Sequence, residues 1–156
     1  MPILYSQQMA GQASRPIIKP TDPAYGGRTY RFRASINLAA IATATFGSTQ
    51  VAAATTDWIQ LLTLPSGYVP DFGMITASVS LGTSVVAIGT SATHGSNGQY
   101  RAAGTFTAVD TPTLFGLASM SALGAVAGDT PVFLTIATAA LPSAGTLVVD
   151  IYANKP

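Results

Sequence analysis

The chain contains no cysteine and no glutamate, only two lysines (Lys19 and Lys155) and a single histidine, His94. Each shortage excludes something. Without cysteine there are no disulfide staples and no thiolate-held metal, and the redox compartment is left open. One histidine falls short of the several His, Cys or acid ligands that a zinc site takes. It would also have to be the base of any Ser-His-Asp arrangement, and no G-x-S-x-G nucleophile elbow is present. Glycoside hydrolysis needs two positioned carboxylates. The acids here are six aspartates, most of them at predicted turns, while Asp150 lies on a predicted strand facing outward. The glycine-bearing stretch Gly89–Gly98 lacks the lysine of a phosphate-binding loop, and no helix follows it. Asp71 and Asp129 lie in turns without the spaced acids of a calcium loop. The reading is a non-enzyme with no metal and no cofactor.

Charge is scarce as well, at 8% of residues against 48% hydrophobic, where an ordinary soluble domain carries roughly 25% charged residues. A free monomer with so little charge has poor colloidal protection. Two readings stand: a secreted or robust β-domain with a Ser/Thr surface, or a chain whose surface is largely covered in an assembly. Long apolar runs are missing too. The stretch Leu114–Ala127 is interrupted by Gly and Ser and stops short of the roughly 18 residues a membrane span needs. The opening MPILYSQQMAGQ has no basic region followed by an apolar run, so it does not read as a secretory signal. No membrane association is expected.

The few charges are unevenly placed. Residues 1–33 hold Arg15, Lys19, Arg28, Arg31 and Arg33 against Asp22, for +4; residues 34–156 hold Arg101 and Lys155 against Asp57, Asp71, Asp110, Asp129 and Asp150, for −3. A basic arm therefore precedes a faintly acidic body. Residues 1–29 read as that arm, and 30–156 as one β-sandwich domain. Pro2, Pro16, Pro20 and Pro23 break any helix and bias the residues before them toward extended backbone. An extended segment of this length reaches on the order of 90 Å at about 3.3 Å per residue. Its apolar residues Ile3, Leu4, Ile17 and Ile18 argue against a purely solvated tail. The arm's cations suit acidic patches on a protein partner at least as well as phosphates, and no nucleic-acid binding is expected.

The body reads as strands. Around residue 30, Tyr30, Phe32 and Ala34 alternate with Arg31, Arg33 and Ser35, an aromatic face backed by a basic one. Ile36–Phe46 is alanine-rich, but its threonines favour a strand running into a turn. In DWIQLLTL, Asp57 suits the cap of a short helix, yet Trp58, Gln60, Leu62 and Leu64 also form a strand face, which the context favours. Pro65–Tyr68 is a turn, with proline at its second position. Val69–Leu81 is a long strand with a bulge or bend at Gly73, and Val85–Thr90 a shorter one. Thr93–Gly98 is a loop in which His94 stands exposed. Tyr100–Phe106 is an edge strand, and Leu114–Ala127 holds one strand and a loop. Pro131–Tyr152 reads as a terminal hairpin of two alternating apolar runs around ALPSAG. Helix is limited to a turn or two near Asp57 or Ser119. The sum is an all-β domain, an antiparallel sandwich or jelly roll of about eight strands.

Two stretches carry a family resemblance. SLGTSVVAIGTSA, with its polar loop to Tyr100, and PVFLTIATAALPSAGTLVVDIYA, roughly the C-terminal half of the chain, resemble decoration or cement proteins on tailed-bacteriophage heads. That resemblance implies a non-enzymatic virion protein made in the host cytoplasm and placed on the capsid surface. It implies a partner in the major capsid protein and a homotrimer. The arm residues Ile3, Leu4, Arg15, Ile17, Ile18, Lys19, Arg28, Arg31 and Arg33 are then the candidates for capsid binding. The alternative is a jelly-roll receptor- or carbohydrate-binding module of a fibre or tail, with Tyr68, His94, Asn97 and Tyr100 as candidate ligand residues.

Overall fold

A computed structural model describes residues 28–41, 45–46, 49–50 and 58–155. The body is all-β. Two four-stranded antiparallel sheets face each other. Sheet one runs in the order β1 (Arg28–Asn37), β10 (Thr146–Lys155), β5 (Val69–Ala77), β8 (Thr113–Phe115). Sheet two runs β4 (Trp58–Leu64), β9 (Thr130–Ala137), β6 (Val85–Gly89), β7 (Arg101–Thr105). A small ribbon, β2 (Thr45–Phe46) with β3 (Thr49–Gln50), lies in the connection from β1 to β4. Setting the ribbon aside, the strands pair from the outside in: β1 with β10, β4 with β9, β5 with β8, β6 with β7. That is one long antiparallel ribbon rolled over on itself, a jelly roll.

This topology corrects the expected terminal hairpin. β9 and β10 are both strands, but they lie in different sheets. Their apolar faces, Val132, Leu134 and Ile136 on one and Leu147, Val149 and Ile151 on the other, are all fully buried. Side by side in a hairpin, those faces would line one sheet and still need a cover. Lying in opposed sheets, both face the shared interior. Each fully buried aliphatic side chain contributes about 1.5–3 kcal/mol as an upper bound.

Four local expectations also shift. The first strand ends at Asn37, and a single helical turn, α1 (Leu38–Ile41), replaces the expected strand. The Asn37 Oδ1 accepts from the Ala39 and Ala40 amides at 3.0 and 3.3 Å, an N-cap that stops the ladder. In β4, Leu61 is an extra residue between the Gln60–Phe133 and Leu62–Val132 pairs. The bulge flips the alternation, so Leu61 and Leu64 are buried while Trp58 stays outside. The Pro65–Tyr68 turn carries proline first, because the Tyr68 amide donates to the Pro65 carbonyl. Its third residue, Gly67, has φ +84°, which glycine adopts without strain. The bulge in β5 falls on Asp71, beside Pro70, whose ring nitrogen has no hydrogen for the ladder. Asp57 lies outside the described residues, and Leu117–Ala122 forms turns without a helix.

Gly73 has a different task from the expected bend. It pairs with Phe115 across β5 and β8, and a β-carbon there would lie 2.1 Å from the Phe115 ring. The ring fills the space the glycine leaves. Gly73→Ala should therefore cost about 1–3 kcal/mol by overpacking, readable as a lower urea midpoint. Adding Phe115→Leu should recover part of that loss.

Tyr100 is buried, and burial raises its hydroxyl pKa above the usual tyrosine value. The folded state thus holds this proton more tightly than the unfolded chain, whose tyrosines titrate near about pH 10. The resulting stability is fully present below that pH and is lost as pH rises through the folded value. Urea midpoints measured from pH 8 upward should fall in the alkaline range, and Tyr100→Phe should flatten that fall.

Candidate functional site

The expected attachment residues divide into two groups. Ile3, Leu4, Arg15, Ile17, Ile18 and Lys19 lie outside the described residues. Arg28, Arg31 and Arg33 stand on β1, an edge strand of sheet one. Strand alternation sends them to two different surfaces. Arg31 and Arg33 lie on the outer face, opposite Tyr152 and Asp150 of β10. Arg28 lies on the other side, in line with Tyr30 and Phe32 at the end of the sandwich.

Arg33 has a partner within the chain. Its Nε and terminal nitrogen donate to the two Asp150 carboxylate oxygens at 2.7 and 2.8 Å. The hydrogen bonds to Asp150 raise the Arg33 pKa. Asp150 does face outward, as its position in the strand implied, yet its side chain is only 1% exposed because the 46%-exposed Arg33 covers it. Apolar and polar residues share the rest of the outer face, with Thr29, Arg31, Ser35, Thr76 and Asn154 among the polar ones. Tyr152 stacks on Phe72 at 4.6 Å and 13°, Val148 and Met74 are half-buried, and Leu114, opposite Met74, is exposed.

Arg28 stands directly opposite Lys155. The Lys155 ammonium lies 5.5 Å from the centre of the Tyr68 ring. Edge-on packing by Tyr30 at 5.1 Å and Phe32 at 5.3 Å steadies that ring. The turn that carries Tyr68 is held from behind: the Val126 amide donates to the Tyr68 carbonyl, Gly67 donates to Val126, and the Ser66 amide donates to Asp129.

Part of the outer face of sheet two is covered by the chain itself. The connection from β6 to β7 folds back over its outer face and includes a 3-10 turn at His94–Ser96. The Asn97 side-chain amide donates to the Ala87 and Phe133 carbonyls and to the Thr135 hydroxyl, at 3.1, 3.2 and 3.0 Å. His94 Nδ1 lies 3.1 Å from the same hydroxyl, so the expected exposed histidine is half-buried and engaged. Gly89 lets this loop approach, since a β-carbon there would meet the Gln99 and Asn97 side chains. The candidate carbohydrate residues therefore do not form one site. Tyr100 is in the core, Asn97 and His94 tie down a loop, and Tyr68 stands at the end of the sandwich. Asn97→Ala would remove the side-chain donor shared by the Ala87 and Phe133 carbonyls and the Thr135 hydroxyl and should cost about 1–3 kcal/mol, with faster amide exchange at Ala87 and Thr135 as the local readout.

Arg101 gains a role that charge counting did not suggest. Its guanidinium donates to the carbonyls of Val86, Gly104 and Thr105, where β6 and β7 lose register. Burial lowers its pKa. Only proximity across a bulge makes this role visible. Among the described residues, no three His, Cys, Asp or Glu side chains gather as a metal site, and no helix is long and apolar enough to cross a membrane.

No family model matches the chain, and no curated protein matches it. Two solved structures do. A chain of the cyanophage Pam1 capsid asymmetric unit is similar over 100% of both chains, at 22% identity and a TM-score of 0.56. A chain in the capsid of Ralstonia phage GP4 is similar over 86% of this chain and 89% of its own, at 18% identity and a TM-score of 0.58. The likeness is one of fold.

Proposed function

We propose that this chain is a non-enzymatic structural protein of a bacteriophage virion, bound to the outer surface of the capsid and stabilising contacts between major capsid subunits. The observation that carries this reading is the whole-length match of its jelly roll to a chain of one phage capsid and its near-whole match to a chain of another. The low charge supports it, because a surface with so few charges suits burial in an assembly. Self-association as a homotrimer belongs to the same proposal. Purified protein should co-sediment with capsid shells of its phage at saturable stoichiometry, and light scattering at micromolar concentration should give the trimer mass. A monodisperse monomer that leaves shells undecorated would overturn the reading.

A further inference from the structure

The chain has three asparagines, and one of them, Asn97, is followed by glycine. The fold imposes that pair. Gly98 holds φ at +123°, a backbone region open to glycine and strained for other residues. Position 97 needs a side chain with an N–H, because it donates to the Ala87 and Phe133 carbonyls and to the Thr135 hydroxyl at 3.1, 3.2 and 3.0 Å. The Asn97 Oδ1 accepts from the Ser91 amide at 3.4 Å. These bonds, with His94 Nδ1 at 3.1 Å from the same hydroxyl, fasten residues 91–97 to the outer face of sheet two. Asparagine is chemically labile, and a glycine after it leaves the next main-chain nitrogen unshielded, with no β-carbon in the way.

We propose that Asn97 is a deamidation site held in check by this fastening, and that its modification releases the loop from sheet two. In the reaction the Gly98 main-chain nitrogen gives its proton to solvent base and bonds to Asn97 Cγ. The Cγ–Nδ2 bond breaks, and Nδ2 leaves as ammonia with a proton from solvent. Water then opens the cyclic imide at one of its carbonyls. The bond from that carbonyl to the Gly98 nitrogen breaks, the nitrogen regains a proton, and a carboxylate remains. Opening at Cγ gives aspartate; opening at the main-chain carbonyl gives isoaspartate. Nothing is oxidised or reduced, since water is consumed and ammonia released. While Nδ2 holds the Ala87 and Phe133 carbonyls, the side chain is not free to turn onto its own main chain, so ring closure waits for the loop to open. Afterwards the loop cannot refasten. The Thr135 hydroxyl can turn to meet the new carboxylate, but the two carbonyls face a negative charge with no N–H. Arg101, the cation nearest in sequence, is turned into other backbone carbonyls. The step needs only water and is independent of the virion reading.

The test is to hold the full chain in mildly alkaline buffer, natively and in concentrated urea, and to follow the amide-to-acid mass gain at each asparagine by tandem mass spectrometry. In urea Asn97 should convert faster than Asn37 and Asn154, which precede Leu38 and Lys155. In the native chain Asn97 should convert over weeks, at least about tenfold more slowly than in urea, because closure is limited to the open fraction of the loop. Thr135→Val removes the hydroxyl that Asn97 and His94 share. It should raise the native rate about threefold or more and leave the urea rate unchanged. Asn97→Asp should speed amide exchange at Ala87 and across residues 91–97. Any of five results would overturn the proposal: Asn97 no faster than the other asparagines in urea, equal rates in urea and native buffer, no native conversion, a native rate unmoved by Thr135→Val, or exchange in Asn97→Asp matching that of the parent.

Discussion

Replacing Arg33 with alanine should lower the melting temperature by roughly 5–10 °C, the largest stability loss expected from any surface side chain here. The reason is the residue beneath it. Asp150 is 1% exposed and accepts two short hydrogen bonds from the Arg33 fork. Removing the partner of a fully buried charge costs roughly 3–5 kcal/mol. Arg33 is itself 46% exposed, so water can reach Asp150 once the arginine is cut back, and about 2–3 kcal/mol is the better figure after that discount. The double variant Arg33→Val/Asp150→Val should recover most of the loss, since two β-branched residues opposite each other suit the strand pair and leave no charge behind. A complete cycle with Asp150→Val alone isolates the coupling. If the double variant is as unstable as Arg33→Ala, the ion pair is not what holds β1 against β10.

Deleting residues 1–27 should abolish binding to shells while leaving the body folded. Among the described residues every buried core residue lies at position 34 or beyond, and β1 begins at Arg28. Circular dichroism and the melting temperature should therefore hardly change. The deleted segment holds the apolar residues Ile3, Leu4, Ile17 and Ile18 with the cations Arg15 and Lys19. Prolines favour an extended form, and an extended segment can lie in a groove or add a strand to a neighbour's sheet, gaining main-chain hydrogen bonds. In such docking its charges would speed association and set register more than affinity. Arg15→Ala, Lys19→Ala and Arg28→Ala together should weaken binding mainly at low salt, where exposed charges are least screened. Full decoration of shells by the truncated chain would place attachment in the sandwich.

The amino-acid sequence by itself determined the class of this fold and most of its strands, because the side-chain period of two and the Gly/Pro breaks are local properties that need no partner. The alternation in β1 set Ala34 on one face with Tyr30 and Phe32, apart from Arg31 and Arg33, before any sheet existed. The alternation in β10 named the outward direction of Asp150. Only the tertiary structure decided who pairs with whom. A strand with one apolar face is satisfied equally by a hairpin neighbour and a covering sheet, and the rolled ribbon put β9 and β10 in different sheets. Bulges at Leu61 and Asp71 reset the phase downstream of them, which no periodicity count can foresee. The burial of Asp150 and the anchoring of His94 and Asn97 on Thr135 share one cause. Each joins residues more than thirty positions apart, and such distances in sequence become contacts only through strand order and register.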